Sequence, residues 1–75
     1  MDYHIKRAIV EAIQPGHIQT QQTIAELAGL ARATVKIHMK GLVQIGVVNR
    51  IGSGKRGSYQ HQINSDKARE LGYLA

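Results

Sequence analysis

Cysteine is absent from this chain of 75 residues, and so are phenylalanine and tryptophan. Without cysteine there is no disulfide framework, no thiolate metal site and no cysteine nucleophile, so the fold has to rest on an apolar core. The aromatic side chains are Tyr3, Tyr59 and Tyr73, too few and too scattered for a platform on which bases of a single strand stack. Long apolar runs are also missing. None approaches the roughly 20 residues of a membrane span, and the chain does not open on the basic, apolar and small-residue series of a signal peptide. A soluble, cytoplasmic protein is expected. The length supports one small domain, which buries only about 60% of the surface its unfolded chain exposes and leaves no room for a second catalytic or regulatory domain.

Acidic residues are scarce where basic ones gather. Ten Lys and Arg against five Asp and Glu give a net charge of +5. Between Glu26 and Asp66 there is no acid, whereas Arg32, Lys36, Lys40, Arg50, Lys55 and Arg56 all fall in that interval. A field of one sign attracts polyanions, nucleic acid above all, or simply keeps a solvated surface soluble.

The apolar pattern predicts a mainly helical α+β chain. Ile5, Ala8, Ile9, Ala12 and Ile13 have the spacing of an amphipathic helix over about 3–13, ended by Pro15 and Gly16. After a connector or very short strand at 17–20, Ile24, Leu27 and Ala28 mark a second helix over about 21–28, with Thr23 and Glu26 at capping-box spacing. Gly29 then suits a left-handed stop. A third helix over about 32–45 buries Val35, Met39, Leu42 and Val43 and turns Ala33, Ile37, Lys40, Gly41 and Gln44 outward. Two short β-like runs within 47–63 flank GSGKRG, and Ser65 can cap a last helix over about 65–72.

The GSGKRG string, Gly52 to Gly57, satisfies G-x-G-x-x-G but lacks its context. A dinucleotide loop leads from a strand into a helix whose amides hold the pyrophosphate, and the following SYQHQI reads as a strand. A Walker A loop needs glycine at the position of Asn49 and Ser or Thr at that of Arg56. What remains is a hairpin tip charged by Lys55 and Arg56. His4, His17, His38 and His61 have no metal-ligand spacing, and no serine has the context of a nucleophile. Neither metal, cofactor nor catalysis is expected, and His38 is expected to flank the core.

Within QTIAELAGLARATVKIHMKGLVQIGVVNR a spacing with a steric meaning appears. Ala25 is small where a second helix crosses, Gly29 makes the turn, and Val35 plugs the space between, with Ile24, Leu27 and Leu30 filling the core. With a helix before it and the hairpin IGSGKRGSYQHQI after it, residues 3 to 63 resemble the winged helix-turn-helix family, in particular small MarR-like or PapI-like bacterial, plasmid or phage transcription regulators. The resemblance implies a three-helix core, a C-terminal β-hairpin wing and a short final helix. It implies double-stranded DNA as partner, a recognition helix presenting Arg32, Thr34, Lys36, Ile37, Lys40 and Gln44, a wing touching backbone or minor groove through Lys55 and Arg56, and phosphate contacts from Gln21 and Gln22. A nucleoid-associated location follows from the same resemblance.

Ala31 departs from the family, which usually has Ser or Thr at that cap. Ile37 stands where a polar reader is common, as a contact for a thymine methyl or for a partner protein. Gly41 costs the helix roughly 1 kcal/mol against alanine, either offset by a close approach or not offset at all. A protein-interaction adaptor and a phage or plasmid replication accessory protein stay open beside transcription control. Leu71, Tyr73 and Leu74 serve either a homodimer or the chain's own core.

Overall fold

The computed structural model describes residues 2–14, 16, 19–52 and 60–75, so the hairpin tip with Lys55, Arg56 and Tyr59 lies outside the described residues. Among the described residues the chain is α+β and mainly helical, with four helices and a three-stranded antiparallel sheet. The order is α1 (Asp2–Ala12), β1 (Gln19–Thr20), α2 (Gln21–Ala28), α3 (Arg32–Gln44), β2 (Val48–Ile51), β3 (Gln60–Ile63) and α4 (Ser65–Glu70). No helix among the described residues is long and apolar enough to cross a membrane.

The buried face of α1 is wider than its expected stripe. Ile9, Ile13 and Val10 are all buried, with Ile5 and Ala12 packed beside them. Val10 was not in that stripe, and it is buried because α1 is packed by both α2 and α3, so apolar residues must cover two sides of the helix. The helix starts and ends one residue before the expected 3–13. Its end is set by Gln19, whose side chain accepts from the Gln14 amide (2.8 Å) and donates to the Ala12 carbonyl (3.2 Å), satisfying two backbone groups where the ladder stops.

Thr20, not Thr23, caps α2. Its hydroxyl accepts from the Thr23 amide at 3.2 Å, which places the cap one turn before the expected capping box. At the other end Gly29 takes φ +70°, its amide bonds the Glu26 carbonyl and the Leu30 amide bonds that of Ala25. These two bonds form a Schellman motif, which needs a left-handed residue that glycine adopts without a Cβ penalty. The same pair of bonds ends α3 at Gly46 and α4 at Gly72, so α3 stops at Gln44 instead of 45 and α4 at Glu70 instead of 72. Asn64, not Ser65, caps α4 by accepting from the Lys67 amide.

Leu27 is the main departure from the expected core, at 56% exposure. Ile24 and Ala25 are the buried pair of α2, so the centre of its inner face lies between them; at about 100° per residue Leu27 then points about 110° away. Val35, Met39 and Leu42 of α3 meet Val47, Val48 and Ile63 of the hairpin and Ala68 of α4 in one core. Leu30 and Val43 pack against it, and His38 is half-buried.

Strand β3 is central in the order β1-β3-β2, with Gln19 opposite His61 on one side and Arg50 opposite His61 on the other. The connector at 19–20 is thus a strand of the sheet. His61 is fully buried, and its Nδ1 donates to the Gln19 carbonyl at 3.3 Å. A carbonyl only accepts, so the proton of the neutral ring is on Nδ1, and the buried Nε2 has no partner among the described residues. Burial pushes the His61 pKa below its ordinary value near 6.5, against the bond to Gln19, and the nearby Arg50 adds to the depression.

Two expectations follow. Gln19→Ala removes both bonds at the end of α1, and thermal melts should show a loss of about 2 kcal/mol, or roughly 10 °C in Tm. Because the unfolded chain binds a proton at His61 more readily than the folded one, this residue's contribution is complete above about pH 6.5 and is lost as pH falls through the lowered folded-state value. Melts at pH 7.5 and pH 5, values of about one unit or more either side of the ordinary histidine pKa, should show a Tm drop that shrinks in His61→Gln. An equal drop in both proteins would exclude His61 as its source.

Candidate nucleic-acid interface

The short turn at 29–31 separates α3 from α2, and Ala25 of α2 and Val35 of α3 are both buried in the common core. The buried side of α3 is Val35, Met39 and Leu42, which fixes what faces outward. Arg32, Lys36, Lys40 and Gln44 follow one another at every fourth position and are all exposed. Each step advances about 6 Å and turns about 40°, so the row begins beside the buried face at Arg32 and reaches the outermost line at Gln44. Ile37 lies next to its outer end and is 71% exposed. Thr34 is only half-buried at the flank of the helix.

Three of the five acids are engaged elsewhere. Arg7 pairs with Glu11 on α1 at 3.5 Å, and on α4 Arg69 pairs with Asp66 at 2.9 Å and Lys67 with Glu70 at 3.9 Å. Such exposed pairs add little to stability. They nevertheless neutralise charge on α1 and α4, while Lys6, Arg32, Lys36 and Lys40 form no ion pair among the described residues. Positive charge is therefore concentrated on and around α3.

Gln21 and Gln22 open α2, Gln21 half-buried and Gln22 exposed. Arg50 is exposed on β2, close enough to His61 to influence its protonation. The predicted Lys55 and Arg56 contacts lie outside the described residues. Arg32, Lys36, Ile37, Lys40 and Gln44 thus share one exposed region of α3, whereas the two glutamines belong to the start of the preceding helix.

No family model, curated protein or solved structure matches this chain.

Lys6 is the residue that sequence periodicity did not bring to this surface. A Cβ built on Gly41 would meet Lys6 Cε and Nζ, each at 3.8 Å, so the side chain from α1 lies against α3 where α3 has no side chain of its own. The available signal was Gly41 itself, since a glycine inside a helix often marks a close approach. It did not say which residue approaches.

Ala31 has the extended conformation of an N-cap, φ −66° and ψ 143°, but offers no side-chain hydrogen bond. Ala31→Ser should supply that bond without altering the backbone and raise stability by about 1 kcal/mol. Thermal melts should show a Tm higher by roughly 5 °C; an unchanged Tm would mean the first-turn amides of α3 are already satisfied.

Proposed function

We propose that the chain is a winged helix-turn-helix protein that binds double-stranded DNA and regulates transcription without catalysis. The observation that carries this reading is the exposed row Arg32, Lys36 and Lys40 on α3, which has no acidic partner among the described residues. The left-handed Gly29, with Ala25 and Val35 buried on either side of the turn, supports a helix-turn-helix geometry. An α-helix with its side chains is about 10–12 Å across and a major groove about 12 Å wide. In this reading α3 enters the groove, Lys36 and Lys40 reach base edges or phosphates, and Ile37 meets a thymine methyl. Lys55 and Arg56 in the wing, with Gln21 and Gln22, hold the backbone.

A second reading, docking on a protein partner, draws on the exposure of Ile37 at 71% and Leu27 at 56%. Two apolar side chains on the outer surfaces of successive helices suit an adaptor. A homodimer through the C-terminal segment would rest on Leu71, which is 42% exposed, because Tyr73 and Leu74 already pack against the chain's own core.

Fluorescence anisotropy with a labelled duplex of about 20 base pairs separates the first two readings. With four to six phosphate contacts, log affinity should fall against log salt with a slope of about −4 to −5. The Lys55→Ala, Arg56→Ala double variant should bind every sequence more weakly and flatten that slope by about 2. Lys36→Ala and Ile37→Ala should instead change the preference among sequences. Absence of duplex binding at about 50 mM salt, together with a partner protein that protects α3 from hydrogen exchange, would replace DNA binding with the adaptor reading.

A further inference from the structure

The cations that α3 itself carries stand on one side of its outward face. Counting about 100° per residue, Lys40 and the outermost Gln44 are only about 40° apart, and Lys36 and Arg32 lie further back on the same flank. Gly41 is on the opposite flank, about 140° from Lys36, with Ile37 between them. No side chain from α3 brings charge there. The residue that occupies the space is Lys6, whose Cε and Nζ are both 3.8 Å from the position a Cβ would take on Gly41.

We infer that Lys6, delivered from α1 across Gly41, is a phosphate-contacting residue on the second flank of the interface. The inference rests on the DNA-binding reading above and adds to it a contact from outside the helix-turn-helix and the wing. A helix lying in a major groove is bounded by the phosphates of two strands. Arg32, Lys36 and Lys40 lie towards one wall, and Lys6 supplies the charge towards the other.

Three observations meet at this point. Lys6 is half-buried against α3 and forms no ion pair among the described residues, whereas its neighbour Arg7 is paired with Glu11. An ammonium laid against the helix that carries Lys36 and Lys40 adds like charge to an element with no acid of its own, which is unfavourable until an anion arrives. Gly41 is not in the left-handed region, so its backbone does not require glycine. The end of the Lys6 side chain occupies the space beside Gly41, and at 3.8 Å an added methyl would make only ordinary contact with it. A long side chain at the same position would compete with Lys6 for that space.

The test uses the full chain and the same labelled duplex, at several salt concentrations. Lys6→Met keeps the stem that covers Gly41 and removes the charge, whereas Lys6→Arg keeps both. Lys6→Met should weaken duplex binding about five- to tenfold near 0.1 M salt and reduce the magnitude of the salt slope by about 0.9, with Tm unchanged; Lys6→Arg should bind like the natural chain. Gly41→Met, a favourable change for a helix, should push Lys6 aside and reproduce the loss. Added to Lys6→Met it should cost nothing more. If the natural chain binds duplex and Lys6→Met binds equally, with the same slope, Lys6 is only a packing residue and the DNA-binding reading stands without it. A further loss in the double variant would mean that methionine at 41 itself blocks the duplex, which also counts against the inference. If the natural chain binds no duplex, both readings fall together. Should Lys6→Met lower Tm, the comparison of Gly41→Met with Gly41→Ala decides, since alanine leaves room for Lys6 and should retain full binding.

Discussion

Gln19 joins the helical layer to the sheet. Its amide oxygen and nitrogen hold the last turn of α1 through Gln14 and Ala12, while its main-chain carbonyl accepts from His61 in β3. The residue is buried, so each polar atom left unpaired there would carry a desolvation cost that water could not relieve. Because α1 packs on α2 and α3, tying its end to the sheet links all three helices to that sheet. A domain of this size has a small core, and a buried glutamine bonded through its side chain and its main chain adds orientation that apolar packing alone supplies only loosely.

Charge is arranged by pairing as much as by composition. The ion pairs on α1 and α4 are exposed and contribute little to stability. Their effect is on the field, because they cancel the charge of Arg7, Lys67 and Arg69 and leave that of α3 uncancelled. Lys6 and Arg7 are neighbours in sequence with opposite fates, one drawn to Glu11 and the other laid across Gly41.

The helix that presents these cations is also the least ideal one. It starts without a side-chain cap at Ala31, contains Gly41, and exposes Ile37 at 71%. Each feature is a local cost in an isolated helix, of the order of 1 kcal/mol for the missing cap and for the glycine. The buried Val35, Met39 and Leu42 and the Schellman closure at Gly46 hold α3 in place despite them. Departures from local preference concentrated in one element are a common mark of a functional surface. In this chain they coincide with the unpaired positive charge.

The helices and the hairpin were legible in the linear pattern because apolar spacing and the glycines at 29 and 46 are local signals, and local geometry decides where a helix runs and stops. The exposed row of α3 was legible for the same reason, since burying Val35, Met39 and Leu42 leaves Lys40, Ile37 and Gln44 only the outer side. The caps lie one turn before Thr23 and one residue before Ser65, because Thr20 and Asn64 are equally capable acceptors and the backbone conformation chose between them. Leu27 was misplaced because its exposure depends on where neighbouring helices pack, which hydrophobicity does not encode. Gln19, His61 and Lys6 acquired their roles from contacts between distant segments: a buried amide at a helix end, an imidazole between two strands, and a lysine crossing a glycine. Sequence by itself determined the elements and the sign of the surface, through periodicity and charge. Tertiary structure alone decided which polar groups meet, since that depends on how helices and strands are set against one another in three dimensions.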